Sequence, residues 1–301
     1  MLSSFTKIHT LGTKYTKDIF QSPVEITEKL DGSQIGWGRI NGEVIIRSKN
    51  TIINLNAIDN LFVEGVNQIQ RFAHLIPEGM MFYGEYFKKP KHNTLAYDRI
   101  PKNHIALFAA GFAPDMFFSE YSDLQKWAYL FDIETIPLLY HGKASTENIE
   151  KLLDTTSVLS GAKIEGVVVK NYNLSCVLTP DVILPITCGK YVSEAFKEVH
   201  RGSWKDRETS GGKLNQLFQE FRTTARWMKA VQHLREQGVL QDSPKDIGPL
   251  FKEVHQDIEA EEIEYIKEKL YDLYRKDLLK VSTNGFPEWY KQQLLLKCGD
   301  S

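Results

Sequence analysis

The hydrophobic pattern of this chain changes period once, near Arg201–Gly212, and that change limits what each side can fold into. Before it, short runs rich in β-branched and aromatic residues recur at Ile35–Ile40, Val44–Arg47, Met81–Phe87, Ile105–Phe112 and Glu165–Lys170. Such runs suit a pleated, half-buried surface and predict strands. Asn41-Gly42 joins the first two and predicts a two-residue hairpin, because both residues tolerate positive φ. Helical patterns intervene over Asn56–Leu75, Asp115–Phe131 and Ser145–Leu159. After the change, apolar residues return at helical spacing: Leu214, Leu217, Phe218 and Phe221 onward, then Ile247–Ile258, then Ile263–Tyr274. Pro244 after Asp242 or Ser243 marks a helix start, with Gly248-Pro249 as an interruption. The expected organisation is therefore a strand-dominated domain over 1–200, a glycine- and serine-containing linker over 201–212, and a small all-α domain over 213–301.

Composition narrows the function classes. Hydrophobic residues make up 42% and charged residues 25%, which are the proportions of a soluble globular protein. No apolar run approaches the roughly 18–20 residues needed to span a bilayer, and the start of the chain has no signal-peptide core. The three cysteines, Cys176, Cys188 and Cys298, are far apart and odd in number. They predict reduced thiols in a cytoplasmic protein, without disulfides or a zinc site. With 37 Lys and Arg against 39 Asp and Glu, no strong basic excess marks a protein that wraps nucleic acid unspecifically. Nucleic-acid binding would have to come from local patches.

The most informative run is Val24-Glu25-Ile26-Thr27-Glu28-Lys29-Leu30-Asp31-Gly32-Ser33. A Lys-x-Asp-Gly tetrad alone is a weak signal, since a solvated lysine before a turn explains it. Four later segments strengthen it: Phe82-Tyr83-Gly84-Glu85-Tyr86, Ile105-Ala106-Leu107-Phe108, Glu165-Gly166-Val167-Val168-Val169-Lys170, and Gly189-Lys190-Tyr191-Val192-Ser193. In order and spacing the set resembles the covalent nucleotidyltransferases, the superfamily of DNA ligases, RNA ligases and mRNA capping enzymes. The flanking residues, including Lys89–Leu95 and Lys190–Glu198, most resemble RNA ligases of the RNA ligase 2-like, nick-sealing family. The resemblance covers residues 5–200 and reaches the tail only through Lys245–Phe251.

The resemblance implies an α+β fold: an ATP-grasp-like nucleotidyltransferase domain of antiparallel sheets with flanking helices, followed by a small all-α domain. A DNA ligase or capping enzyme would instead carry an OB-fold barrel after the catalytic domain, and the helical periodicity beyond Lys213 argues against a barrel. It further implies an ATP-dependent RNA ligase that forms a lysyl-AMP on Lys29, passes AMP to a 5′-phosphate and seals a nick. A DNA ligase, an mRNA guanylyltransferase and a non-catalytic nucleic-acid-binding module are the alternatives.

By the same resemblance, Glu28 reads the adenine, Glu85 binds the ribose, Phe108 stacks on the base and Lys170 and Lys190 contact phosphate. Glu165 is the metal-associated carboxylate, with Mg²⁺ or Mn²⁺ as the ion. Arg47 or Lys49 would contact substrate phosphate, and Arg222, Arg226 and Lys229, read as one basic helix face, would grip nucleic acid. The implied partner of this monomer is a nicked duplex of RNA or an RNA/DNA hybrid, with no membrane. Three positions depart from the family pattern: Cys188 stands where a lysine is usual, Ala109 follows Phe108 where Asp is usual, and Lys49 replaces an arginine. A free lysine titrates near 10.4, so a nucleophilic Lys29 must lose its proton in its surroundings.

Overall fold

The structure is a computed structural model that describes residues 2–113, 116–118, 120–179, 181–193, 197 and 210–299. Two sheets form its centre. The first has strand order β1 (His9–Thr10), β13 (Thr187–Val192), β10 (Gly166–Asn171), β2 (Val24–Lys29) and β9 (Leu138–Gly142). All its pairings are antiparallel except that of β1 with β13. The second runs β4 (Glu43–Ser48), β3 (Ser33–Ile40), β5 (Met80–Tyr86), β6 (Ile105–Phe112) and β7 (Met116–Phe117), with β8 (Glu134–Thr135) parallel to β6. A separate hairpin joins β11 (Cys176–Thr179) to β12 (Val182–Leu184). The architecture is α+β with mostly antiparallel sheets, as the sequence led us to expect.

The core falls in three layers because each strand face has something to bury against. Met81, Tyr83, Ala106 and Phe108 meet Leu30, Ile186, Cys188 and the N-terminal Leu2 and Phe5, and close the space between the sheets. Behind the second sheet, Trp37, Phe82 and Leu107 pack on residues of α1 (Val63–Arg71) and α2 (Tyr121–Leu130), with Phe131. Behind the first, Val24, Ile26, Val167 and Val169 cover Ile149 of α3 (Thr146–Leu152). The β3–β4 hairpin turns on Asn41 and Gly42 at φ of 54° and 79°, the conformation that pair favours.

The helices of this part are shorter than their hydrophobic patterns. Asn56–Leu75 yields only Val63–Arg71 and a 3₁₀ turn at Ala73–Leu75. The Asn54 and Asp59 side chains accept the N–H groups of Asn56 and Leu61, holding the preceding segment in turns. Of Asp115–Phe131, Met116–Phe117 pairs with β6 as a strand and the helix begins at Tyr121; Asp115 lies outside the described residues. Ser145–Leu159 is helical only to Leu152, started by a capping box of Ser145 and Asn148.

By internal contacts the chain divides into two compact units, Met1–Phe196 with Arg235–Val239, and Lys197–Leu234 with Leu240–Ser301. Residues 201–209 of the expected linker lie outside the described residues. The second unit is helical among the described residues: α4 (Ser210–Glu220), α5 (Thr224–Glu236, whose last two residues count with the first unit), α6 (Ile247–Ser282) and α7 (Phe286–Gly299). Gly248-Pro249 does not interrupt α6, because a proline in the first turn lacks only an N–H that would have no helical partner. The two apolar patterns after Ile247 thus fuse into one 36-residue helix, and none of its residues is buried. Phe221 meets Tyr265 of α6 edge to face, and the Tyr265 hydroxyl donates to Glu220. Among the described residues, no helix is long and apolar enough to cross a membrane.

Candidate active site

Strand register sets up the site. Lys29 ends β2 opposite Gly166 of β10; two residues back, Thr27 opposes Val168, which in turn opposes Lys190 of β13. Cross-strand partners share a sheet face, so Lys29 and Lys190 project from the same side. Gly166 is needed by close packing: a methyl there would stand 2.3 Å from the Tyr191 carbonyl oxygen. Gly32 is needed for the same reason, since its methyl would lie 2.7 Å from both the Tyr86 carbonyl oxygen and the Phe87 ring.

The Lys29 ammonium is 2.6 Å from Glu165 Oε1 and 2.7 Å from Oε2. Burial alone would lower the Lys29 pKa, but the carboxylates of Glu165 and Glu85 outweigh it and hold the pKa above its ordinary value. Burial is also the main influence on Glu165, pushing it up to about 6 against the pull of Lys29, with Lys190 adding a smaller opposing effect. Glu85 is pushed up to about 8, again chiefly by burial, and accepts the Gly32 N–H at 3.0 Å. Lys29, Glu85, Glu165 and Lys190 therefore form one electrostatically coupled group.

Glu28 is buried and its Oε2 accepts the Val158 N–H at 3.1 Å, while Oε1 has no hydrogen-bond partner among the described residues. Burial raises its pKa. An acceptor left bare inside a protein costs stability, and a donor supplied from outside would relieve it. Phe108 lies in the core between the sheets, its ring edge-on to Phe5 at 5.1 Å. It is the extra residue of a β-bulge: Tyr83 pairs with Ala109 and Gly84 with Leu107.

Lys170 shares the sheet face of Lys29 but does not present its charge to an open pocket. Its ammonium is buried and donates to the Phe108 carbonyl oxygen at 2.5 Å. Burial lowers its pKa. Arg47 donates to the carbonyl oxygens of Leu2, Ser48 and Lys49, so its guanidinium is engaged inside the fold. Lys49 is exposed.

The basic helix face expected in the second unit needs correction. Arg222 is exposed but precedes α5. Arg226 is 0% exposed and pairs with Asp257 and with Glu262, the latter at 3.0 Å. Lys229 pairs with the same Asp257 at 2.7 Å. Arg226 and Lys229 do not form an open basic face because the carboxylates that pair with them come about 30 residues later, on α6. Arg226→Ala should cost about 3–5 kcal/mol, since it takes the fully buried guanidinium away from the carboxylates of Asp257 and Glu262, whose side chains are only 8% and 12% exposed. Denaturant unfolding measures that, and lost RNA affinity at unchanged stability would instead mark Arg226 as a contact residue.

Sequence reasoning missed a clamp beside Lys29. Asp31 Oδ2 accepts the N–H groups of Thr94 and Leu95, each at 2.7 Å, and the Asp31 N–H donates to the Tyr97 hydroxyl. Asn93 donates its side-chain amide to the Gly32 carbonyl oxygen at 2.7 Å. His92 Nδ1 accepts the Lys88 N–H, so Nε2 carries the proton toward Ser33 Oγ at 2.9 Å. Burial pushes the His92 pKa down to about 4, which keeps it neutral. The density of polar and turn-forming residues in Lys88–Tyr97 was the available signal.

Among the described residues, no three His, Cys, Asp or Glu side chains are arranged to hold a metal ion by themselves. Comparison with curated protein sequences gives no match. Similar solved structures include Naegleria gruberi RNA ligase with pyrophosphate, at 18% identity and a TM-score of 0.47 over 65% of this chain. A mutant of that ligase with AMP and manganese matches at 18% identity and a TM-score of 0.49 over the same share. The matched part covers 57% of each of those chains. The family described as RNA ligase matches residues 22–184, more than half of the sequence, and the chain belongs to that family.

Proposed function

We propose that this protein is an ATP-dependent RNA ligase that seals 3′-hydroxyl/5′-phosphate nicks through a lysyl-AMP on Lys29. The observation that carries the reading is the half-buried Lys29 amine held between the two oxygens of Glu165, with Glu85 and Lys190 coupled to the same pair. Lys29 would attack the α-phosphorus, forming the P–N bond while the bond to the β-phosphate oxygen breaks and pyrophosphate leaves. AMP then passes to an oxygen of the 5′-phosphate, breaking the P–N bond, and attack by the neighbouring 3′-hydroxyl expels AMP.

Within this reading Lys190 binds the triphosphate from the sheet face it shares with Lys29. Glu85, whose pKa burial raises to about 8, binds the ribose hydroxyls. Phe108 stacks on the base. Glu165 suits one hard divalent cation, because such ions are commonly held by one or two carboxylates with substrate phosphate and water oxygens. Mg²⁺ or Mn²⁺ bound there would supply positive charge to the reacting phosphates. In the second unit, which we propose grips the duplex flanking the nick, Arg222 remains the exposed cation of the three expected. We propose a cytoplasmic monomer acting on nicked duplex RNA or an RNA/DNA hybrid.

Nucleotide choice follows from Glu28. The adenine amino group would donate to the partnerless Oε1, whereas guanine presents a carbonyl oxygen at that position. A site built around a donor in its ligand rejects an analogue lacking it by as much as roughly 10⁴-fold. The test is incubation of the full chain with each α-labelled nucleoside triphosphate and Mg²⁺, followed by denaturing electrophoresis. ATP should label strongly and GTP at least about 100-fold less, and Glu28→Ala should narrow the ratio. Equal labelling by GTP would move the chain toward capping chemistry, and no covalent label at all would overturn the proposal.

A further inference from the structure

Lys170 carries a charge that is almost wholly buried in the first unit. It sits in the middle of β10 at 2% exposure. Its ammonium lies 5.5 Å from the centre of the Phe108 ring and 5.8 Å from that of Phe5. Across the ladders its backbone partners are Glu25 and Cys188, both buried, so the three side chains form a row on one sheet face. An ammonium in such a place is expensive to desolvate, and a methionine of similar length would fill the volume without that penalty. Its hydrogen bond to Phe108 joins β10 of the first sheet to β6 of the second. Phe108 is also where β6 lacks a register partner on β5, so the bulge frees a carbonyl that Lys170 then satisfies. The two rings beside the ammonium add a favourable cation–π component.

We infer that Lys170 is a positioning residue for the nucleotide base, fixing the bulge that aims Phe108, and does not bind the triphosphate. This rests on the reading above, in which Phe108 stacks on adenine. The family departure at Cys188 fits the same arrangement. A lysine there would stand beside Lys170 in the buried row, adding a second ammonium next to the pair of Lys170 and Glu25.

The experiment separates base from phosphate by titrating the full-length chain with ATP, adenosine and inorganic tripolyphosphate. Lys170→Met should weaken adenosine and ATP by a similar factor of about 10, matching Phe108→Ala, and leave tripolyphosphate unchanged. Lys190→Met should do the reverse, weakening tripolyphosphate and ATP while sparing adenosine. Lys170→Gln keeps a donor for the Phe108 carbonyl without the charge. It should hold adenosine binding within a few-fold of wild type, and it decides the matter if Lys170→Met fails to fold. Loss of tripolyphosphate binding with adenosine spared, in either Lys170 variant, would overturn the inference and make Lys170 a phosphate ligand. Unchanged binding of all three ligands in Lys170→Met would overturn it too. A wild-type chain that binds neither adenosine nor ATP would fail the nucleotide reading itself, and this inference with it.

Discussion

Replacing Lys29 with alanine should abolish the covalent AMP adduct and reduce nick sealing by on the order of 10³-fold or more. The amine is the only protein group in the proposed scheme that forms a bond to the nucleotide, and the surrounding carboxylates cannot substitute for it. Lys29→Arg should be equally inactive, since a guanidinium keeps its proton at any working pH. Intact-mass measurement after incubation with ATP and Mg²⁺ should show one added AMP in the wild type and none in either variant. The adduct should be labile to acid and stable to base, as a phosphoramidate is. Labelling that survives both substitutions would place the nucleophile elsewhere.

The second large effect is expected at Glu165, where two consequences of one substitution point in opposite directions. Glu165 is the largest of the attractions that raise the Lys29 pKa against burial. Glu165→Gln removes that attraction while keeping the shape, so the Lys29 pKa falls and the amine deprotonates at lower pH. The same change removes the carboxylate proposed to hold the divalent ion, so the maximal rate should fall by about 100-fold. A pH–rate profile of self-adenylylation separates the two. In the wild type the rate should rise with pH as Lys29 loses its proton. In Glu165→Gln the rise should start at lower pH and level off far lower, with a higher metal concentration needed for half-maximal rate. An unchanged plateau and metal requirement would reduce Glu165 to a counterion of Lys29.

Legibility in the sequence depended on the range of the interaction that fixed each feature. Ile105–Phe112 is a strand over the residues expected, and Asn41-Gly42 makes its hairpin, because alternation and turn chemistry are local. Helix lengths were overestimated where a nearby side chain captured backbone N–H groups, as Asn54 and Asp59 do before α1. The ordered segments around Lys29, Glu85, Glu165 and Lys190 could be read in the sequence, and the structure brings those four together. The bulge at Phe108 could not be read, since it exists only in the pairing of β6 with β5. Nor could the burial of Arg226, whose partners Asp257 and Glu262 lie 31 and 36 residues away. A basic residue with helical neighbours looks solvated until the opposing helix is known.

The clamp at Asp31 also acts as a measure of chain length. One carboxylate oxygen takes the N–H groups of two successive residues, Thr94 and Leu95, while the Asp31 N–H reaches Tyr97 two positions further on. The stretch leaving β5 at Tyr86 must therefore return to the same turn after a set number of residues. An inserted residue would carry the wrong N–H groups to Asp31 and shift the tyrosine out of reach. The turn between α6 and α7 is held by local hydrogen bonds, from the Asn284 N–H to Val281 and from the Phe286 N–H to Thr283, and among the described residues nothing lies within 4 Å of a methyl added at Gly285, whose φ is 80°. For anyone grafting a reporter or an affinity sequence into this protein, the tip at Asn284-Gly285 is the place to open the chain, and the loop beside Lys29 is the place to leave closed.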